Sequence, residues 1–292
     1  MGLNLSRLTL GLWRAKEWKY TTQQLTNLVT QCLELGITSF DHADIYGGYE
    51  CENVFGNVLR ENPLLRQTMQ LVTKCGIKLV SPKFPEHTMH CYDTTKLHII
   101  RSAERSLQNL NTDYIDLLLI HRPDPFMNAD ETAEAFNELK KSGKILHFGV
   151  SNFLPQQFSL LQSRLDFPLA TNQIEVSVLC TEHFDSGNNY YLQEKRVSPM
   201  VWSPFAGGKI FGGNGEQANS VRNVLNEIAY KYQVGIDAIA SAWLLIHQVN
   251  FIVILGTGKI ERIKSAIKSL DIKLTREEWF KIWVASKGND LP

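Results

Sequence analysis

The stretch IDLLLIH, Ile115 to His121, is a short apolar run that reads as a β-strand and ends on an imidazole. The same shape recurs upstream. TSFD ends in Asp41 and LVTK ends in Lys74, with Tyr46 following Asp41 by five residues. Three apolar runs therefore deliver a carboxylate, an ammonium and an imidazole at their C-terminal ends, and a phenol sits on the loop after the first of them.

Working outward, strand-like and helix-like segments alternate along the whole chain. The first strand is expected at Leu8 to Leu12. A helix follows, with Leu25, Leu28, Val29, Cys32 and Leu33 on one face; Thr21 and Gln24 suit a capping box and Gly36 a C-terminal stop. Further strands are expected at Ile37 to Asp41, Gln70 to Lys74, Tyr114 to His121, Ile145 to Val150, Leu169 to Ile174, Pro199 to Ser203 and Phe251 to Leu255. Helices are expected at Glu50 to Arg60, Thr94 to Leu110 (stacking Ile100, Ala103, Leu107 and Leu110), Ala129 to Lys141, after Pro155, Glu216 to Tyr232, Ile236 to His247 and Lys259 to Leu270. Thr275 and Glu278 form a second capping box at the start of a tail helix. The stretch from Cys75 to Tyr92, with Pro82 and Pro85, reads as a long loop.

Eight strands, each followed by helix, in 292 residues suit an α/β fold of one kind: a single-domain (β/α)8 TIM barrel over residues 1–292. A doubly wound sheet would need a Gly-rich turn after the first strand, where only Gly11 is found. Parallel barrels build their sites from loops at the C-terminal ends of the strands. Those positions hold Trp13, Asp41, Tyr46, Lys74, His121, Ser151, Asn152, Gln173, Trp202, Ser203, Gly256, Thr257 and Gly258.

Composition narrows the function classes. Hydrophobic residues make up 43% and charged residues 21%, so a packed core is feasible. Formal net charge is zero and no basic run occurs, which argues against nucleic-acid binding and polybasic membrane anchoring. Five cysteines without metal-type spacing predict free thiols in a reducing compartment. No basic leader is visible, and the apolar stretch from Ala238 to Leu255 is broken by polar residues, so a cytoplasmic protein is expected. His87, His90 and Cys91 could suggest zinc, but lack a fourth ligand nearby; no metal is expected.

Seven segments in order, FDHADIYGGYE (Phe40 to Glu50), VTKCG (Val72 to Gly76), DYIDLLLIHRPD (Asp113 to Asp124), GVSNF (Gly149 to Phe153), TNQIE (Thr171 to Glu175), WSPFAGG (Trp202 to Gly208) and LGTGKIERI (Leu255 to Ile263), resemble the aldo-keto reductase family. The closest likeness is to its bacterial branch. The resemblance implies an NADPH-dependent reduction of an aldehyde or ketone. Tyr46 would be the general acid, with a phenol pKa lowered by Lys74; Asp41 would hold Lys74 charged, and His121 would bond the substrate oxygen or share the proton transfer. It also implies that Ser151, Asn152 and Gln173 bind the nicotinamide carboxamide and that Trp202, beside Ser203, stacks on its ring, where the family more often has Tyr. Gly256, Thr257, Gly258, Lys259 and Arg262 would take the phosphates, favouring NADP(H). The loop Phe205 to Gly215 would fold over the pyrophosphate. Trp13 and Phe153 would wall the substrate pocket. His42 stands where the family usually has Thr. A small carbonyl compound is the expected partner and a monomer the expected state. The alternative on the same barrel is a non-catalytic NADP-binding regulatory subunit; a metal-dependent barrel hydrolase or isomerase is the second rival.

Overall fold

A computed structural model describes residues 2–290. Eight parallel strands alternate with helices and close into a barrel in which each strand neighbours the next in sequence, the last returning to the first. They are β1 (Leu8–Gly11), β2 (Ser39–Asp41), β3 (Gln70–Cys75), β4 (Ile115–Ile120), β5 (Ile145–Ser151), β6 (Asn172–Glu175), β7 (Met200–Trp202) and β8 (Ile252–Leu255). The main helices are α1 (Thr22–Glu34), α2 (Cys51–Glu61), α3 (Lys96–Asn109), α4 (Ala129–Lys141), α5 (Pro155–Gln162), α6 (Glu216–Tyr232), α7 (Ile236–Leu245), α8 (Ile260–Ile267) and α9 (Arg276–Lys287). The chain divides into two compact units, one ending at Gln173 and one beginning at Ile174.

In the first unit, parallel register sets the heights of the functional positions. Gly11 lies opposite Asp41, Asp41 opposite Val72, and Lys74 opposite Leu119. Ser151 on β5 pairs with Gln173. Apolar side chains on both sides of these strands explain why each reads as a continuous hydrophobic run: Leu117, Leu118, Leu119 and Ile120 are all fully buried. Phe40 and Phe55 meet at 5.4 Å, and Phe136 stacks on Phe148 at 4.3 Å. The capping box at Thr21 forms as expected and α1 buries Leu25, Leu28, Val29 and Cys32. On α3 the buried stripe is Ile99, Ser102, Ala103, Ser106 and Leu107, so Ile99 takes the core position expected for Ile100. Two serines had disguised the stripe. The stretch from Cys75 to Tyr92 is not irregular throughout: Ile77–Lys78 and Cys91–Tyr92 pair antiparallel.

The second unit is built around aromatic packing. Trp243 on α7 and Trp279 on α9 stack at 5.0 Å, and each indole N–H donates to the other's carbonyl, at 3.1 and 3.0 Å. Trp283 continues the stack and Phe184 lies edge-on to it. Phe184 belongs to a connection that contains two short helices, Glu182–Asp185 and Asn188–Glu194. The Thr275–Glu278 capping box opens α9. Among the described residues no helix is long and apolar enough to cross a membrane.

Candidate active site

Lys74 is the centre of the site. It is fully buried on β3, and its Nζ donates to both Asp41 carboxylate oxygens at 2.8 Å, to the His42 carbonyl at 2.7 Å and to Tyr46 Oη at 3.2 Å. A buried ammonium needs opposite charge and filled donor positions. Here a carboxylate, a carbonyl and a phenol supply them. Burial alone would drain the charge from Lys74, but Asp41 and then Tyr46 reverse that, and the ammonium ends above its ordinary value. Gln173 Nε2 also donates to Asp41 Oδ1, at 2.8 Å, so the carboxylate is held from β3 and from β6.

The Tyr46 phenol does not respond as the sequence led us to expect. Its pKa moves upward, because burial outweighs the lowering by Lys74, and Asp41 adds to the rise. Asp41 neutralises the very ammonium that was to depress it. Tyr46 is therefore a protonated donor over the neutral range, sitting on a fixed cation. His121, at the end of β4, meets the Tyr46 ring edge-on at 5.8 Å. Burial, followed by Lys74 and Arg122, holds its imidazole well below the usual range, so it is neutral. Its Nδ1 is buried without a hydrogen-bond partner.

Ser151, Asn152 and Gln173 form one cluster at the ends of β5 and β6. Ser151 Oγ donates to the Gln173 carbonyl at 2.9 Å, and Asn152 Nδ2 donates to Ser151 Oγ at 2.7 Å. Asn152 has a left-handed backbone, φ 61°, and the next side chain turns into the core. That side chain is Phe153, fully buried, with its backbone clamped by Asn172 at 3.2 and 2.7 Å. It has no surface to offer a ligand, which corrects its expected role as a pocket wall. Trp13 is 58% exposed, with the Arg14 guanidinium 4.9 Å from its ring. His87 Nδ1 lies 3.0 Å from the Leu79 carbonyl, and its ring stacks on Phe84. Among the described residues no group of three or more His, Cys, Asp or Glu side chains could hold a metal ion.

In the second unit, Gly256, Thr257, Gly258 and Lys259 lead from β8 into α8. No side chain caps the α8 N-terminus, Lys259 and Arg262 are exposed in its opening turn, and a Cβ at Gly256 would meet nothing within 4 Å. Glycine there is not required by the protein's own packing. A helix start without a side-chain cap, with two cations beside it, forms an anion-binding set. This donor set fits the phosphates of a nicotinamide dinucleotide. Trp202 ends β7 and is partly exposed; Ser203 follows with φ 55°, and its Oγ accepts from the Gly207 N–H at 3.0 Å. The Gly-rich loop is pinned by a residue the sequence did not single out. Arg222 of α6 donates to the carbonyls of Ile210 at 2.9 Å and Gly213 at 2.7 Å.

An eight-stranded parallel barrel carrying a buried ammonium and carboxylate beside a half-buried phenol is the arrangement that the seven segments implied. The profile of the Aldo/keto reductase family matches residues 7–285. The chain belongs to that family, and is an oxidoreductase of it. It is 49% identical over 291 residues to an uncharacterized oxidoreductase, YcsN, of Bacillus subtilis (strain 168), covering 99% of this chain and 97% of the relative. It is 44% identical to a 6-dehydroglucose reductase of Agrobacterium fabrum, covering 99% and 97% respectively. A crystal structure of an aldo/keto reductase from Klebsiella pneumoniae in complex with NADP and acetate superposes with a TM-score of 0.77 at 25% identity, over 95% of this chain and 90% of that one.

Proposed function

We propose that this protein is an NADPH-dependent reductase that converts an aldehyde or ketone to an alcohol, with Tyr46 as general acid. The observation that carries the reading is Lys74 Nζ, placed 2.8 Å from both Asp41 oxygens and 3.2 Å from Tyr46 Oη. The nicotinamide, when bound, supplies the hydride.

The chain's own residues manage the oxygen. Tyr46 donates its proton as negative charge develops there, and the adjacent Lys74 ammonium stabilises the phenolate left behind. Because Asp41 and Gln173 fix Lys74 before any substrate arrives, the charges need little rearrangement during reaction. A neutral His121 donates a hydrogen bond to the same oxygen without competing for the proton. Ser151, Asn152 and Gln173 offer amide and hydroxyl groups suited to a carboxamide. Trp202 and Ser203 border the ring. The N-terminus of α8 with Gly256, Thr257, Gly258, Lys259 and Arg262 holds phosphate, and Lys259 with Arg262 select the 2′-phosphate.

The test is NADPH oxidation with a panel of carbonyl compounds, beginning with 6-dehydroglucose because of the Agrobacterium relative's name. Wild type should turn over at least one of them. Tyr46→Phe should lose roughly 10²- to 10⁴-fold in kcat while still quenching tryptophan fluorescence on binding NADPH. NADPH binding without turnover by either protein would replace this reading with a regulatory one.

A further inference from the structure

We propose that Asp44, acting through Arg105, is a positioning residue for Tyr46, fixing the phenol against Lys74 and tying it to the loop between Ile77 and Tyr92. This deepens the reductase reading and rests on it for the role of Tyr46.

The segment after Tyr46 is conformationally costly. Gly47, Gly48 and Tyr49 are all left-handed, with φ 61°, 69° and 68°. Glycine accepts that region freely; tyrosine does not, and three in succession require outside support. A Cβ on Gly47 would also strike Cys51 Sγ at 2.6 Å. Backbone bonds within the turn, such as Tyr49 N–H to the Ile45 carbonyl at 3.3 Å, are long.

The support comes from the side chains. Asp44, two residues before Tyr46, is a fully buried carboxylate, and Arg105 of α3 donates to its Oδ2 at 3.2 Å. The same guanidinium lies 5.6 Å from the Tyr49 ring centre and 4.8 Å from that of Phe84. Tyr49 and Phe84 meet edge-on at 4.7 Å, and the Tyr49 hydroxyl accepts the Leu79 N–H at 2.8 Å. Asp44 therefore grips one side of the Tyr46 turn, Tyr49 the other, and Arg105 joins both to Phe84. The Asp44 backbone N–H donates to the Lys74 carbonyl at 3.0 Å, placing this clamp directly behind the ammonium. Retaining a buried carboxylate here is expensive: burial and neighbouring Glu52 push its pKa up to about 7 despite Arg105. Apolar packing could fill this space at lower cost; a planar cation stacked on two rings gives direction as well.

The decisive measurement is the ionisation of Tyr46 itself, read by ultraviolet titration as the difference between each protein and its Tyr46→Phe counterpart. It needs no turnover, so it stands even if the panel of carbonyls fails. Asp44→Asn removes a negative charge, which through space alone would lower the Tyr46 pKa. Loss of position that takes the phenol off Lys74 while its ring stays packed raises it. We expect a rise. In an active enzyme kcat should also fall about 10- to 100-fold with NADPH affinity unchanged, and Asp44→Asn should cost nothing further in the Tyr46→Phe background. Arg105→Met should behave alike. Phe84→Leu, on a partly exposed ring and safe for folding, should lower kcat about two- to fivefold. A Tyr46 pKa that stays put or falls in Asp44→Asn, or losses that multiply on top of Tyr46→Phe, would overturn the proposal. If Asp44→Asn does not fold, the Phe84→Leu titration decides by the same rule.

Discussion

Tyr46 illustrates how a residue's chemistry depends on what cancels what around it. An ammonium 3.2 Å away is the usual means of acidifying a phenol, yet the phenol here is shifted upward. Asp41 holds the ammonium closer than Tyr46 does, and burial penalises the phenolate. A pH profile follows from these signs. Below its raised pKa Tyr46 is a protonated acid, and His121 stays neutral because its pKa is depressed. Tyr46 and His121 should therefore add no limb to the kcat for carbonyl reduction across the neutral range, where Asp44 titrates, at about 7; kcat falls on the alkaline side, while alcohol oxidation rises there. An acid limb near the usual histidine range that persists in Asp44→Asn would show that His121 titrates after all. Asp41, Lys74 and His121 were legible from sequence because each closes an apolar run, and Tyr46 because it follows Asp41 by five residues. Their mutual electrostatics were not, since these depend on distances between three different strands.

At the scale of elements, close approach and helix ends decide most. Gly56 on α2 faces α3 so closely that a Cβ would lie 1.9 Å from the Asn109 carbonyl. Gly56→Ala should cost about 1–3 kcal/mol in chemical denaturation, because backbone must move to admit the methyl group. The outcome against us would be an unchanged midpoint. Helix α8 provides the complementary case. With no side-chain cap and with Lys259 and Arg262 exposed at its start, replacing both by Ala should raise the KM for NADPH roughly 10- to 100-fold and leave that for NADH nearly unchanged. Equal effects on both cofactors would remove the 2′-phosphate from the assignment. Capping boxes at Thr21 and Thr275 were readable because they are local. The α3 stripe was misjudged by one residue, since buried Ser102 and Ser106 carry no hydrophobic signal. The Ile77–Lys78 hairpin with Cys91–Tyr92 was missed because two-residue strands have no period to detect.

Across the whole molecule, buried ionisable groups tie stability to pH. His42 is fully buried against Phe55, both ring nitrogens lack partners, and its pKa falls to about 3, chiefly through burial and then Lys74. Below 6.5 the unfolded chain takes up a proton that the folded protein refuses until about 3, so stability is lost as pH falls through that window. Asp44 runs the other way: its folded pKa of about 7 exceeds the ordinary 3.8, so its contribution is lost as pH rises between them. His42→Leu should hold or improve the neutral Tm, since it replaces unpaired polar atoms with apolar ones, and should spare about 2 kcal/mol of the loss between pH 6.5 and 5. A steeper acid loss in the variant would refute this. The sequence by itself determined the βα repeat, the barrel and the residues at the strand ends, because hydrophobic period, caps and strand termini are local properties. Only the tertiary structure decided that Gln173 braces Asp41, that Phe153 is core, that Arg105 pairs with Asp44 and that burial outweighs Lys74 at the phenol. Each of these depends on contacts between residues remote in sequence and on the loss of water around them, and neither is written in any one stretch of chain.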